Sequence, residues 1–312
     1  MRWPLEWRQD REDRPVETSR LLEIIAAQTR MSRPEIEHQC FLVDGLIRWL
    51  DRHLFSSALA AEKPPVLALS GGQGTGKSTL ARHLALALRS RGQTAELIGL
   101  DDFYLPQKDR IRLAREIHPL LMTRGVPGTH DLAMLVDVIR GLRSSRQVAI
   151  PVFDKLKDDR LPEARFSLPG AQILILEGWC LGARVEAESG LTEAVNDLEK
   201  SEDPDLIWRH YVNQQMESEA WMSLDDLIDQ IIFFRIPSFD QVLAWRWQQE
   251  QELAAKAGTA RGMDRNQIKR FISHFERITL SMLENPPEKT ALEFNLNEHH
   301  KVIEIRSFLP NR

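Results

Sequence analysis

Residues Gly71-Gly72-Gln73-Gly74-Thr75-Gly76-Lys77-Ser78 fit the spacing G-x-x-x-x-G-K-[ST], and no other stretch of the 312-residue chain restricts its fold as sharply. An apolar run, Val66-Leu67-Ala68-Leu69, precedes the motif. After it, Leu80, Leu84 and Leu88 recur at helical spacing, predicting a helix over about residues 77–89. The chemistry accounts for each residue type. Glycines let the backbone wrap around a polyphosphate and aim successive N–H groups at its oxygens. The helix start adds roughly half a positive charge at the same place. Lys77 is expected to reach the β- and γ-phosphates of ATP, and the Ser78 hydroxyl to ligate Mg²⁺. Residues 71–79, ending on Thr79, are therefore the expected ATP-binding segment. A glycine-rich turn without a ligand is the bland alternative, and the complete strand–loop–helix context argues against it.

Beyond residue 65, short apolar runs alternate with helical stretches. Residues 66–69, 95–100, 148–150, 173–176 and 231–234 read as strands, the last continuous enough for a buried parallel one. The expected fold is α/β: a P-loop NTPase-type, mostly parallel sheet flanked by helices. Residues 1–65 read as an N-terminal helical extension. Ser32 and Glu35 form a candidate capping box there, and Ile36, Cys40, Val43, Ile47 and Leu50 share one apolar face. Residues 66–312 form the expected main domain, with a solvated, acidic helical insertion at 183–230 and a helical, lid-like region at 239–285. Residues 291–296 and 301–306 alternate well enough for a closing hairpin. Trp221, Trp245 and Trp247 are read as packing residues rather than a base-stacking platform.

A phosphate loop alone does not separate an ATPase, a motor and a small-molecule kinase. The second strand ends in Asp101-Asp102, at the carboxyl edge where open α/β sheets bind ligands. Phosphoryl transfer to an alcohol needs a group that accepts or orients the hydroxyl proton, and a carboxylate one strand from the loop suits that role. Asp101 is the stronger candidate of the two. Capping of the next turn is the structural alternative. Residues 173–176 lead into Glu177, the form of a Walker B strand, whose acid would hold Mg²⁺ opposite Ser78.

Net charge is −5, which argues against a chain-wide nucleic-acid or membrane-binding surface. The distribution is uneven: residues 66–182 total +4 and residues 183–230 total −10. The phosphate loop, Asp101-Asp102 and the strand ending at Glu177 all lie in the basic block, so the overall sign says nothing against a pocket for anions. Two cysteines, Cys40 and Cys180, form no metal-ligand or disulfide framework, which suits a reducing cytosol. The N-terminus lacks the apolar run of a signal peptide, and no stretch approaches 18 apolar residues. A cytoplasmic protein is expected. The oligomeric state is open, with a monomer favoured.

Read together, these residues resemble the phosphoribulokinase/uridine kinase group of P-loop kinases, and within it the D-glycerate 3-kinases of plant and fungal type. The matching stretches are Asp101-Asp102-Phe103-Tyr104, Arg124-Gly125-Val126-Pro127-Gly128-Thr129-His130-Asp131, and Pro151-Val152-Phe153-Asp154-Lys155 followed by Asp159-Arg160. Glu177-Gly178-Trp179-Cys180-Leu181-Gly182, residues 242–250 and Gly262-Met263 complete them. The resemblance implies ATP and Mg²⁺, with Lys77, Asp101 and Glu177 catalytic, and transfer to the 3-hydroxyl of D-glycerate. It places Tyr104, Arg124, His130 and Asp131 near the acceptor, and Lys155, Arg160 and Arg246 near the acceptor's carboxylate or the moving phosphoryl group. Independently, a small carboxylate acceptor needs Arg or Lys donors, and Arg124 and Arg160 lie in polar, turn-like segments. In the loop after Lys155, Leu156-Lys157-Asp158-Asp159 stands where the resemblance leads one to expect a more Ser/Gly-rich sequence. Kinases of the same group acting on pantothenate, a nucleoside or a sugar phosphate remain alternatives, as does a non-catalytic ATP-binding regulatory protein.

Overall fold

The computed structural model describes residues 3–7, 16–29, 31–55, 63–257 and 263–309. Gly262 of the expected Gly-Met step lies outside the described residues, as do parts of 1–65 and of 239–285. In chain order the elements are helices α1 (Val16–Gln28) and α2 (Arg33–Leu50), strand β1 (Val66–Gly71), α3 (Lys77–Ser90), β2 (Ala95–Gly99), α4 (Gln107–Glu116) and α5 (Leu132–Arg143). Then follow β3 (Ile173–Gly178), α6 (Asp197–Glu202), α7 (Ile207–Gln215), α8 (Glu219–Leu227) and β4 (Gln230–Arg235). The chain continues through α9 (Asp240–Ala257), α10 (Arg265–Glu284), β5 (Thr290–Leu296) and β6 (Val302–Ser307).

The six strands form one sheet in the order β6-β5-β4-β1-β3-β2. All pairs are parallel except β5 with β6, the expected closing hairpin. All six residues of β1 are buried, which explains why its sequence runs apolar instead of alternating. From β1 the chain moves outward past the place of β3 to build β2, so the connections diverge between β1 and β3. That divergence opens the crevice at the carboxyl edge of the sheet. The register pairs Ser70 with Gly178 and Gly99 with Glu177, so three strands end level with one another there.

Helices cover both faces. On one, Val43, Trp49, Leu84, Ile232 and Phe294 share a core with Trp7; a buried Leu such as Leu84 contributes roughly 1.5–3 kcal/mol. On the other, Ile139, Trp179, Trp208 and Trp221 form a second core. Helix α10 serves both, with Ile268 and Ile272 in the first and Phe275 and Ile278 in the second. The α2 face read from sequence is buried throughout, and the Glu35 carboxylate accepts hydrogen bonds from the Ser32 backbone N–H and hydroxyl. Trp245 and Trp221 pack in different cores, and Trp247 lies partly buried against the first.

Two expectations change. Ala149–Ile150 does not enter the sheet but pairs antiparallel with Arg165–Phe166. Pro151 follows at once, and a proline cannot donate to a central ladder. The acidic segment 183–230 is not simply solvated. Glu199 and Asp203 are fully buried, and buried carboxylates require partners. Arg277 donates to Glu199 at 2.7 Å, and Arg209 Nε donates to Asp203 at 2.9 Å. Among the described residues, no helix is long and apolar enough to cross a membrane.

Candidate active site

β1 delivers the phosphate loop to the crevice. Gly71 has φ 141°, and a Cβ there would meet the Phe234 carbonyl oxygen at 2.5 Å, so only glycine fits between the two strands. Gly76, at φ 82°, opens α3. Within the loop, Thr75 Oγ1 donates to the Gly72 carbonyl at 3.0 Å. Lys77 is buried and donates from Nζ to the same carbonyl at 3.2 Å. Burial pulls its ammonium group down, opposed by the Glu177 and Asp101 carboxylates. The Ser78 hydroxyl, at the start of α3, donates to Glu177 Oε2 at the end of β3, at 2.9 Å. Thr79 follows in the first turn of α3.

The opposite wall starts from the turn after β2. Asp101 Oδ1 accepts from the Tyr104 hydroxyl at 2.6 Å, and Oδ2 pairs with Lys155 Nζ at 2.6 Å. Burial pushes the Asp101 carboxyl up, yet the Lys155 charge and the hydrogen bonds from Lys155 and Tyr104 outweigh it, leaving the group below its ordinary value. It is ionised at neutral pH. Burial and the neighbouring Asp101 raise the Tyr104 phenol well above its ordinary value, so it donates as a neutral group. Arg124 lies over the rings of Phe153 and Tyr104, at 5.5 and 6.0 Å, and pairs with Asp158. From α9, Arg246 reaches Glu250 at 2.6 Å and Gln249 at 3.2 Å.

Between these walls is a cleft of about 260 Å³, which Gln73, Gly74, Lys77, Ser78, Asp101 and Glu177 line. Tyr104, Arg124, Lys155 and Arg246 line it too. Sequence reasoning did not single out Gln249, Phe271, Ile272 and Phe275, which also face it. The apolar period of α10 signals that Phe271 and Phe275 share a face, but not that this face borders a cleft.

Other expected site residues stand behind the wall. Arg160 donates to the Tyr104 carbonyl at 2.9 Å and approaches Asp131 at 3.4 Å, so its guanidinium fixes the turn after β2. Asp131 caps α5 by accepting from the Met134 N–H at 3.2 Å. His130 is buried against Tyr104, ring centroids 4.8 Å apart. The neighbouring Asp102 has its carboxyl pushed up by burial.

Burial pushes His130, His83 and His274 each down to about 4. An unfolded histidine titrates near 6.5. Below that pH the unfolded chain gains protons that the folded chain refuses until about pH 4, so stability is full above about 6.5 and falls with acidification. Three such groups give a slope of up to about 4 kcal/mol per pH unit near pH 5. The urea midpoint is expected to drop sharply between pH 7.5 and 5.5; a midpoint unchanged over that range refutes this.

Ser78 Oγ and Glu177 present two hard oxygen donors beside the phosphate loop. Among the described residues no group of three or more His, Cys, Asp or Glu could hold a metal. The pair fits Mg²⁺ all the same, because this ion takes one or two protein oxygens and fills its octahedron with phosphate and water.

Known proteins resemble this chain over most of its length. A probable ATP-dependent kinase of Saccharomyces cerevisiae is 30% identical over 258 residues, spanning 75% of this chain and 83% of its own length. The chloroplastic D-glycerate 3-kinase of Arabidopsis thaliana is 27% identical over 229 residues, or 68% of this chain and 46% of the plant protein. The solved structure of D-glycerate 3-kinase from Cryptococcus neoformans matches with a TM-score of 0.67 at 25% identity, covering 81% of this chain and 96% of that one. The family model for phosphoribulokinase and uridine kinase matches residues 66–251, a span that includes the phosphate loop, Asp101, Glu177 and Arg246. With more than half of its length so matched, the chain belongs to the phosphoribulokinase/uridine kinase family.

Proposed function

We propose that this kinase transfers the γ-phosphoryl group of ATP to the 3-hydroxyl of D-glycerate, in the cytoplasm and with Mg²⁺. The observation that supports it most is the facing of two groups across one small cleft. Lys77, Ser78 and Glu177 stand on the nucleotide side; ionised Asp101, with Tyr104, Arg124 and Lys155, stands opposite. The family match supplies the kinase class, and the likeness to D-glycerate 3-kinases of a plant and a fungus supports the acceptor. Cys40 and Cys180, both buried and neither in a disulfide, support a reducing compartment.

In this reading the loop N–H groups hold the phosphates, and Lys77 exchanges the Gly72 carbonyl for a phosphate oxygen. Ser78 and Glu177 would hold Mg²⁺, which would offset negative charge on the phosphates. Asp101 accepts the hydrogen bond of the acceptor hydroxyl. As the hydroxyl oxygen bonds to the γ-phosphorus, the bond to the β–γ bridging oxygen breaks, ADP departs, and the hydroxyl proton leaves by way of Asp101. Arg124, Lys155 and Arg246 supply positive charge for the acceptor carboxylate and the equatorial oxygens.

The test is ADP release measured with D-glycerate, pantothenate, uridine and ribulose 5-phosphate in turn. Release is expected with D-glycerate alone, with 3-phosphoglycerate as product by phosphorus NMR. Release with another of these acceptors, or with none, overturns the reading.

A further inference from the structure

Asp158 sits in an uncommon backbone conformation. Its φ is 53°, in the left-handed region that few non-glycine residues other than Asn, Asp and His enter. The turn does not need this side chain to close: the Asp154 carboxylate accepts from the backbone N–H groups of Leu156 and Lys157, at 2.9 and 3.2 Å. What the Asp158 carboxylate does instead is join two guanidinium groups, Arg110 and Arg124.

The two arginines are unequal. Arg110 is 1% exposed, pairs with Asp158 Oδ2 at 3.0 Å, and donates to the carbonyls of Leu105 and Met122 at 3.2 and 2.8 Å. It also donates to the Asp158 carbonyl. Its place is set by main-chain acceptors. Arg124 instead lines the cleft, resting on Phe153 and Tyr104, with Asp158 as its carboxylate partner. Tyr104 lies under that guanidinium and donates its hydroxyl to Asp101 at 2.6 Å. Arg124 and Asp101 thus both touch the Tyr104 side chain, and both line the cleft.

We propose that Asp158 is an internal competitor for the acceptor's carboxylate: it holds Arg124 until a small carboxylate displaces it, and so sets the affinity of the acceptor subsite for carboxylates. The inference rests on the reading that the acceptor is a hydroxy acid. Displacement is cheap, because a released Asp158 remains paired with Arg110. A neutral alcohol lacks the charge to draw Arg124 away, so its binding does not depend on Asp158. The cost is a weaker grip on the right acceptor than an unopposed arginine would have.

Asp158→Asn removes the charge while keeping the shape, and asparagine tolerates a positive φ. Arg110 retains its main-chain acceptors, so the variant is expected to fold, with thermal unfolding as the control. Calorimetric titration with D-glycerate and with glycerol, beside a non-hydrolysable ATP analogue, reads the effect. The variant is expected to bind D-glycerate about tenfold more tightly than the native chain, about 1.4 kcal/mol, with glycerol binding unchanged. Adding Arg124→Gln is expected to erase the gain. Three results overturn the proposal: no gain in Asp158→Asn, a gain that survives loss of Arg124, or D-glycerate binding by neither chain. Turnover is scored separately. The gain without phosphorylation of D-glycerate would sink the proposed reaction and leave the competitor standing; phosphorylation without the gain would do the reverse.

Discussion

Lys77→Ala is expected to lower turnover by on the order of 10³-fold, the scale seen when a preorganised charge stabiliser is deleted. The ammonium group is buried at the floor of the cleft and donates to the Gly72 carbonyl at 3.2 Å. That carbonyl is a weak partner for a buried cation, and a phosphate oxygen carrying negative charge is a better one. The exchange therefore gains energy mainly when charge builds on the phosphoryl group, which lowers the barrier more than it tightens ground-state binding. The glycines and their N–H groups survive in the variant, so ATP affinity should fall far less than kcat. Loss of the cation also leaves Glu177 and Asp101 nearer to mutual repulsion, since both carboxylates act on this ammonium. Lys77→Met, which keeps much of the volume, separates charge from packing. Steady-state ADP release and equilibrium titration of ATP on both variants check the expectation. Turnover near the native rate would remove the phosphate loop from the reaction.

How far the sequence revealed this site depends on whether a residue's role is fixed by its neighbours in the chain. The phosphate loop was legible because every residue type in it answers to one ligand at short range. Asp101 and Glu177 were legible because an apolar run followed by an acid places that acid at the end of a buried strand, and the register sets Glu177 beside β1 and Asp101 just past the end of β2, level with it across β3. His130, Asp131 and Arg160 show the opposite case. They sit in polar, turn-like stretches, and polarity alone does not separate a side chain facing a cleft from one fixing the backbone behind it. Arg160 binds the Tyr104 carbonyl and Asp131 caps a helix, so both act on the shape of the wall. Likewise, nothing in the segment 183–230 signalled that Glu199 would be buried, because its partner Arg277 lies 78 residues away in α10. The acidic excess read as a solvated surface is in part a buried ionic cluster. Long-range pairing of this kind is invisible to local pattern, whereas strand ends and glycine spacing are local.

Asp101→Asn is expected to reduce kcat by at least ~10²-fold, the usual worth of a positioned proton acceptor, with little change in the KM for ATP. The native carboxylate accepts from Tyr104 and from Lys155, each at 2.6 Å. These donors, with the Lys155 charge, overcome the upward push of burial and hold the carboxyl below its ordinary value. A base so stabilised removes a proton weakly. In the proposed reaction its use is to orient the acceptor hydroxyl toward the γ-phosphorus and to receive the proton late, when the new P–O bond has made the hydroxyl strongly acidic; a loose transition state asks for no more. Asparagine offers one carbonyl oxygen and replaces the other with a donor, which would point at Lys155 or at the Tyr104 hydroxyl. One existing hydrogen bond is then lost, and no group remains to take the proton. Because the carboxylate is ionised well below neutrality, the native kcat should be flat between about pH 6 and 8 on its account, and the variant's deficit should not recover as pH rises. Steady-state rates across that range decide the matter: a variant kcat within about threefold of native would leave Asp101 as a structural partner of Tyr104 and Lys155.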